Sequence, residues 1–293
     1  MTVVGRTLVG IGVIVLLFVA YQLWGTGLAE SHSQDVLRHQ LAGQLRRSLG
    51  TAPAPPPTTA GSGAAPPVVA SPAPPTAAPP EGRAVGIIRI PRIGLDKAIV
   101  EGTDTADLRQ GPGHYAGTPL PGQPGNSAVA GHRTTYGAPF SRLDELRSGD
   151  QVVVITPQGT FRYNINRSLV VEPSDVSVIA PVNANELTLT TCTPRFSAAR
   201  RLVVQATLVG VPAPPAAAPT SPRRASSGLA GGTGGWLSVV AWGVAAVALA
   251  IGLWLVARTR RRRWLVYLLG TPPFLAVLFM FFVAISKLLP ASI

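Results

Sequence analysis

The sequence predicts a mostly β domain closed as a barrel, with one apolar segment before it and two after it. Three observations predict this. Residues 84–210 hold short runs of β-branched and apolar residues, separated by Gly and Pro turns at close spacing. Residues 8–24, 236–257 and 264–289 are apolar runs of membrane-spanning character. Two Pro-rich tracts separate the apolar ends from the middle.

In chain order, residues 1–25 read as an N-terminal membrane anchor. Tyr21, Gln22 and Trp24 suit an interface belt better than a small-residue cleavage site, so the anchor is expected to stay attached. Residues 26–50 form a juxtamembrane segment. Leu37, Leu41 and Leu45 recur there at helical spacing among charges, which predicts a short helix within 31–49. Residues 51–83 are an Ala/Pro-rich linker with eleven prolines between 51 and 80. Such a tract cannot bury enough apolar area to repay ordering. As polyproline II it would span on the order of 90 Å.

Within the domain, strands are expected at 86–90, 95–100, 127–131, 151–156, 160–165, 187–191 and 201–209. Residues 140–146 are the one clearly helical stretch. A second linker, 211–235, leads to a span at 236–257. The loop 258–263 carries five arginines, and a further span, 264–289, is interrupted by Pro272 and Pro273, which would kink or split it. The arginine loop belongs in the cytoplasm by the positive-inside rule. That orientation makes a multi-pass protein of the cell membrane, with the bilayer as a partner and residues 25–235 extracytoplasmic.

The formal net charge is +12, yet residues 83–211 carry 13 Arg and Lys against 10 Asp and Glu, a net of +3. The excess sits beside the apolar spans, so no nucleic-acid partner is expected. No zinc-type spacing, P-loop or dinucleotide fingerprint is present, and no cofactor or metal is expected. The single cysteine excludes an internal disulfide framework.

That cysteine, Cys192, lies in Thr188-Leu-Thr-Thr-Cys-Thr-Pro194, where a strand runs out at a proline. His132 ends another strand, Ala128-Val-Ala-Gly-His132. Arg201 opens a third, Arg201-Leu-Val-Val. A thiol, an imidazole and a guanidinium at strand ends fit a nucleophile, an acid/base partner and an oxyanion-stabilising cation. Arg200 and, more weakly, Arg195 compete with Arg201 for the last role.

Thr-Leu-Thr-Thr-Cys followed by Arg-Leu-Val-Val resembles the active-site signature of the sortase family. The stretch from Gly111 to His132 resembles the approach to that family's histidine. The continuation His132-Arg-Thr-Thr-Tyr-Gly-Ala-Pro-Phe is similar to actinobacterial members, class E above all. The resemblance spans about residues 84–210. It implies an eight-stranded closed barrel and a Cys192–His132–Arg201 transpeptidase, with Arg201 chosen because the family's arginine directly precedes the strand. It implies substrates that are secreted proteins with a C-terminal sorting signal of the LPxTG or LAxTG type, and a peptidoglycan-precursor amine as acceptor. Substrate contacts are expected from Tyr115, Tyr136 and Thr191. A pilin-polymerising class C enzyme and a non-catalytic tethered barrel are the alternatives.

Overall fold

The seven expected strands all form, and an eighth closes them into a cylinder. The computed structural model of the chain describes residues 3–50, 78–215, 236–259 and 263–288. Most of both linkers and residues 260–262 of the arginine loop lie outside the described residues. The strands are β1 (Ala84–Ile90), β2 (Leu95–Glu101), β3 (Gly113–His114), β4 (Asn126–Ala130), β5 (Gln151–Thr156), β6 (Gly159–Val171), β7 (Glu186–Thr193) and β8 (Arg200–Val209). They close in the order β1-β2-β3-β4-β7-β8-β6-β5. The β2–β3 and β4–β7 pairs are parallel, and the rest are antiparallel.

Alternation sorts the side chains. Val152 and Val154 of β5, and Phe161, Tyr163 and Ile165 of β6, point into the barrel between less buried neighbours. Their burial drives closure, and the Tyr163 hydroxyl accepts the Gly122 N–H at 2.6 Å instead of lying unpaired. β4 is buried at every position, as a strand covered on both faces must be.

Two expectations need correction. Residues 140–146 are not an α-helix. They form turns with one 3-10 turn, Leu143–Glu145. Phe140, Leu143 and Leu146 are all buried, and their three-residue spacing matches the 3-10 period, not 3.6. Strand 160–165 is also too short: β6 runs on to Val171 through a bulge between Ile165 and Arg167.

A 25-residue helix, α2 (Thr26–Gly50), packs on β1 and β2, and its Leu37 and Leu41 join Ala84, Ala98 and Val100 in a second apolar cluster. A single helical turn, α3 (Thr105–Leu108), follows β2. The apolar helices α1 (Val3–Ala20), α4 (Trp236–Thr259) and α5 (Arg263–Leu288) form a separate compact unit. Within it Phe18 meets Phe282 edge-on at 5.2 Å. Two helical stretches, Trp236–Thr259 and Trp264–Ser286, are long and apolar enough to cross a membrane. The N-terminal apolar helical stretch is shorter than the expected span: it covers Leu8–Ala20 and gives way to a π-helical turn at Tyr21–Gly25. Pro272 and Pro273 sit inside a continuous α5.

Candidate active site

Three neighbouring strands, β4, β7 and β8, position the candidate residues. In the parallel β4–β7 pair, Ala130 is level with Thr190. The Gly131 N–H donates to the Thr190 carbonyl at 3.0 Å, and the Thr191 hydroxyl donates to the Gly131 carbonyl at 2.7 Å. These bonds carry the register two residues further, so His132 leaves β4 alongside Cys192 on β7. On the other side of β7, Cys192 is directly opposite Arg201, and Thr193 is opposite Arg200. Opposed residues of an antiparallel pair share a face. Arg201 therefore shares the face of Cys192, while Arg200 points away to Glu172 at 3.6 Å. One Nη of Arg201 donates to the Ala198 and Arg200 carbonyls at 3.1 and 3.3 Å, which steadies the guanidinium. Arg195 is turned elsewhere and donates to the Ser141 carbonyl at 2.8 Å.

The local field sets the protonation states. Burial pushes the Cys192 thiol up, and the positive charges of Arg201 and Arg133 offset only part of that. His132 is 5 % exposed. Burial, helped by the Arg109 charge, pulls its pKa down to about 4. Thiol and imidazole are thus both neutral near pH 7. His132 Nε2 is buried and has no hydrogen-bond partner among the described residues.

The loop after His132 is tightly drawn. Tyr136, Gly137 and Ala138 occupy the left-handed region in succession, with φ of 50°, 70° and 42°. For residues with a Cβ this costs roughly 1–2 kcal/mol each. The Tyr136 ring lies 5.2 Å from the His132 ring, and the Arg109 guanidinium lies 5.6 Å from the Tyr136 ring. The Phe140 N–H closes the loop on the His132 carbonyl at 3.1 Å.

Residues 88–209, from the middle of β1 to the last residue of β8, match the family model described as the sortase domain. The barrel is a sortase domain. Among its relatives, sortase D of Bacillus subtilis is 41% identical over 117 residues, which are 40% of this chain and 58% of that protein. Sortase SrtE1 of Streptomyces coelicolor is 32% identical over 222 residues, 70% of this chain and 56% of the relative. The chain thus spans under two thirds of the length of both curated relatives. A solved structure of a sortase E point mutant from Streptomyces avermitilis is 41% identical; the match covers 45% of this chain and 91% of that one, with a TM-score of 0.41.

In this sortase domain the other expected residues lie along the same strands and the histidine loop. Tyr115 places its hydroxyl 3.2 Å from the Thr190 hydroxyl, one turn of the strand pleat below Cys192. Tyr136 covers His132. Thr191 is buried, with its hydroxyl engaged by the Gly131 carbonyl. Two arginines escaped the sequence reading. Arg133 donates to the Thr193 hydroxyl at 2.9 Å and to the Cys192 carbonyl at 3.3 Å, and it pairs with Asp144 at 3.0 Å. Its position beside His132 was the only signal. Arg109 comes from the cap of α3, and nothing in the sequence linked it to the site.

Proposed function

We propose that this protein is a cysteine transpeptidase that cuts a C-terminal sorting motif of the LPxTG or LAxTG type between Thr and Gly and joins the new acyl end to a cell-wall amine. The observation that carries this reading is the shared face of Cys192 and Arg201 beside His132. The thiol of Cys192 passes its proton to His132 Nε2, and the thiolate attacks the Thr carbonyl carbon. Arg201 donates hydrogen bonds to the oxygen that gains charge. Collapse breaks the C–N bond, and the imidazolium of His132 protonates the departing Gly amine. A thioester on Cys192 remains. An incoming amine attacks it, His132 takes the amine's proton, and the thiolate leaves and recovers that proton. Two acyl transfers replace one amide exchange.

The neutral resting pair supports this order. A thiol held up and an imidazole held down do not ionise until substrate displaces water and completes the site. The acceptor amine is that of a peptidoglycan precursor, and the donor is a secreted protein. Both are met outside the bilayer, with the barrel tethered to the outer face of the cell membrane.

The test uses the full chain in detergent with sorting peptides of both motifs and triglycine. The expected result is a ligated product of the mass of peptide plus triglycine less the Gly-containing fragment, absent with Cys192→Ala. Equal turnover by the Cys192→Ala variant refutes the thioacyl mechanism.

A further inference from the structure

We propose that Thr26 and Glu30, on the juxtamembrane helix α2, are positioning residues for His132 and act through Tyr136 and Gly137. This inference rests on the reading of His132 as the acid/base of the site.

One face of α2 is built from Thr26, Glu30, Gln34, Leu37 and Leu41, at the four- and three-residue spacings that line up on a helix. All five are buried, while Leu28 on another face is 74 % exposed. The lower, leucine end is ordinary packing. The upper end is polar and fully engaged. The Gln34 side chain accepts the Ala98 N–H at 2.7 Å and donates to the carbonyls of Ala98 at 3.0 Å and Gln110 at 2.8 Å. Both Glu30 oxygens accept from Lys97 Nζ, at 2.7 and 2.8 Å. These bonds fix the axial position and the rotation of the helix on β2.

What that fixed helix presents is the histidine loop. The Tyr136 N–H donates to the Thr26 hydroxyl at 3.2 Å. A Cβ on Gly137 would come within 2.5 Å of a Glu30 carboxylate oxygen, so the helix and the loop backbone are in close approach. Tyr136, Gly137 and Ala138 are the three successive left-handed residues. Backbone in that region persists only when its surroundings hold it. Thr26 and Glu30 are those surroundings, and the ring they hold covers His132. The charge acting on His132 comes from Arg109, which stacks on the same Tyr136 ring. The carbonyl of Gln110, next in sequence to Arg109, is bound by Gln34. Helix α2 thus binds the Tyr136 backbone directly and holds the residue next to Arg109. A plain spacer helix would need only its leucines.

The test compares the full chain in detergent with Thr26→Val, Thr26→Ser and Leu41→Ala. Thr26→Val keeps the shape and removes the acceptor. It should lower kcat about tenfold or more with KM little changed, since misplacing a reacting group acts on the chemical step. It should also move the His132 titration, followed by NMR of 13C-labelled histidine, from near pH 4 upward toward 6.5. Thr26→Ser should restore both. Leu41→Ala should lower the melting temperature and leave the titration of His132 in place. A Thr26→Val protein with an unmoved titration, or a Leu41→Ala protein with the same shift, overturns the proposal. The titration is read without turnover. A chain that ligates no peptide but shows the predicted shift refutes the enzyme reading and retains the positioning one.

Discussion

Arg200 and Arg201 are chemically identical neighbours, and the fold separates them by a single pleat. Cys192 is opposite Arg201, so under the proposed mechanism loss of Arg201 removes the donor to the reacting carbonyl. Removing such a donor typically costs a hundredfold or more in rate. Arg201→Ala should therefore fall at least about a hundredfold in kcat/KM, and Arg201→Lys should recover little, because an ammonium lacks the planar fork. Arg200→Ala, which loses only an exposed 3.6 Å contact to Glu172, should stay within a few-fold of the parent. The reverse ranking in a peptide-ligation assay would mean that the oxyanion donor sits on the other face of β8. His132 makes a second residue-scale prediction, this time for stability. Folded, it binds a proton only near pH 4; unfolded, near its ordinary 6.5. Between those values the unfolded chain holds more protons, so stability falls as pH drops through that window. The loss is up to about 3 kcal/mol. A His132→Gln variant should lack that part of the acid destabilisation in urea titrations at pH 4 and pH 7. Parallel curves for parent and variant would show that His132 titrates normally in the fold.

At the scale of elements, the join between β4 and the histidine loop is closely packed. A Cβ at Gly131 would lie 2.6 Å from Phe140 Cδ2, and Phe140 is fully buried. Neither side can retreat into solvent. Gly131→Ala should cost about 1–3 kcal/mol by overpacking. Adding Phe140→Leu should return part of it, a coupling measurable in a double-mutant cycle of urea unfolding. Simple additivity of the two losses would show that they do not meet. The same region explains what could and could not be read in advance. β5 was legible to the residue because Val152-Val-Val-Ile-Thr156 is an unbroken run of β-branched residues. β3 was not, since a two-residue strand has no period to detect. Beyond the bulge, β6 turns mostly outward and loses its apolar alternation, which hid its last residues. Cys192, His132 and Arg201 stood out in the sequence because each lies at or next to a strand end. Arg109 and Thr26 were not, because only the closed barrel and the docked α2 bring them near His132. The leucines of α2 announced a helix within 31–49, whereas Thr26, Glu30 and Gln34 add no apolar signal to mark the buried face or the helix's earlier start. Their partners, on β2 and on the loops beyond it, are more than sixty residues away in sequence.

For the whole molecule, the arrangement about the bilayer decides whether Cys192 can reach its proposed substrates. Two described helices, Trp236–Thr259 and Trp264–Ser286, are of spanning length, and the five arginines of residues 258–263 lie at the end of the first and between the two. Each charge carried to the bilayer centre costs roughly 2.5–3.5 kcal/mol on insertion scales, so exporting this loop would be strongly opposed. Arg258 stacks 4.3 Å over the Trp254 ring, a pairing suited to the membrane interface. With the loop inside, both spans must lead outward, and the barrel that precedes the first of them is outside. Cys192 is the only thiol, so the topology can be read by placing a new one in a Cys192→Ala background. Asn183→Cys, on an exposed loop of the barrel, should react with a membrane-impermeant maleimide in intact cells. Thr259→Cys, at the exposed end of α4, should react only after the membrane is opened. Labelling of Thr259→Cys in intact cells, with Asn183→Cys protected, would invert the orientation and leave the barrel where no wall amine can meet it.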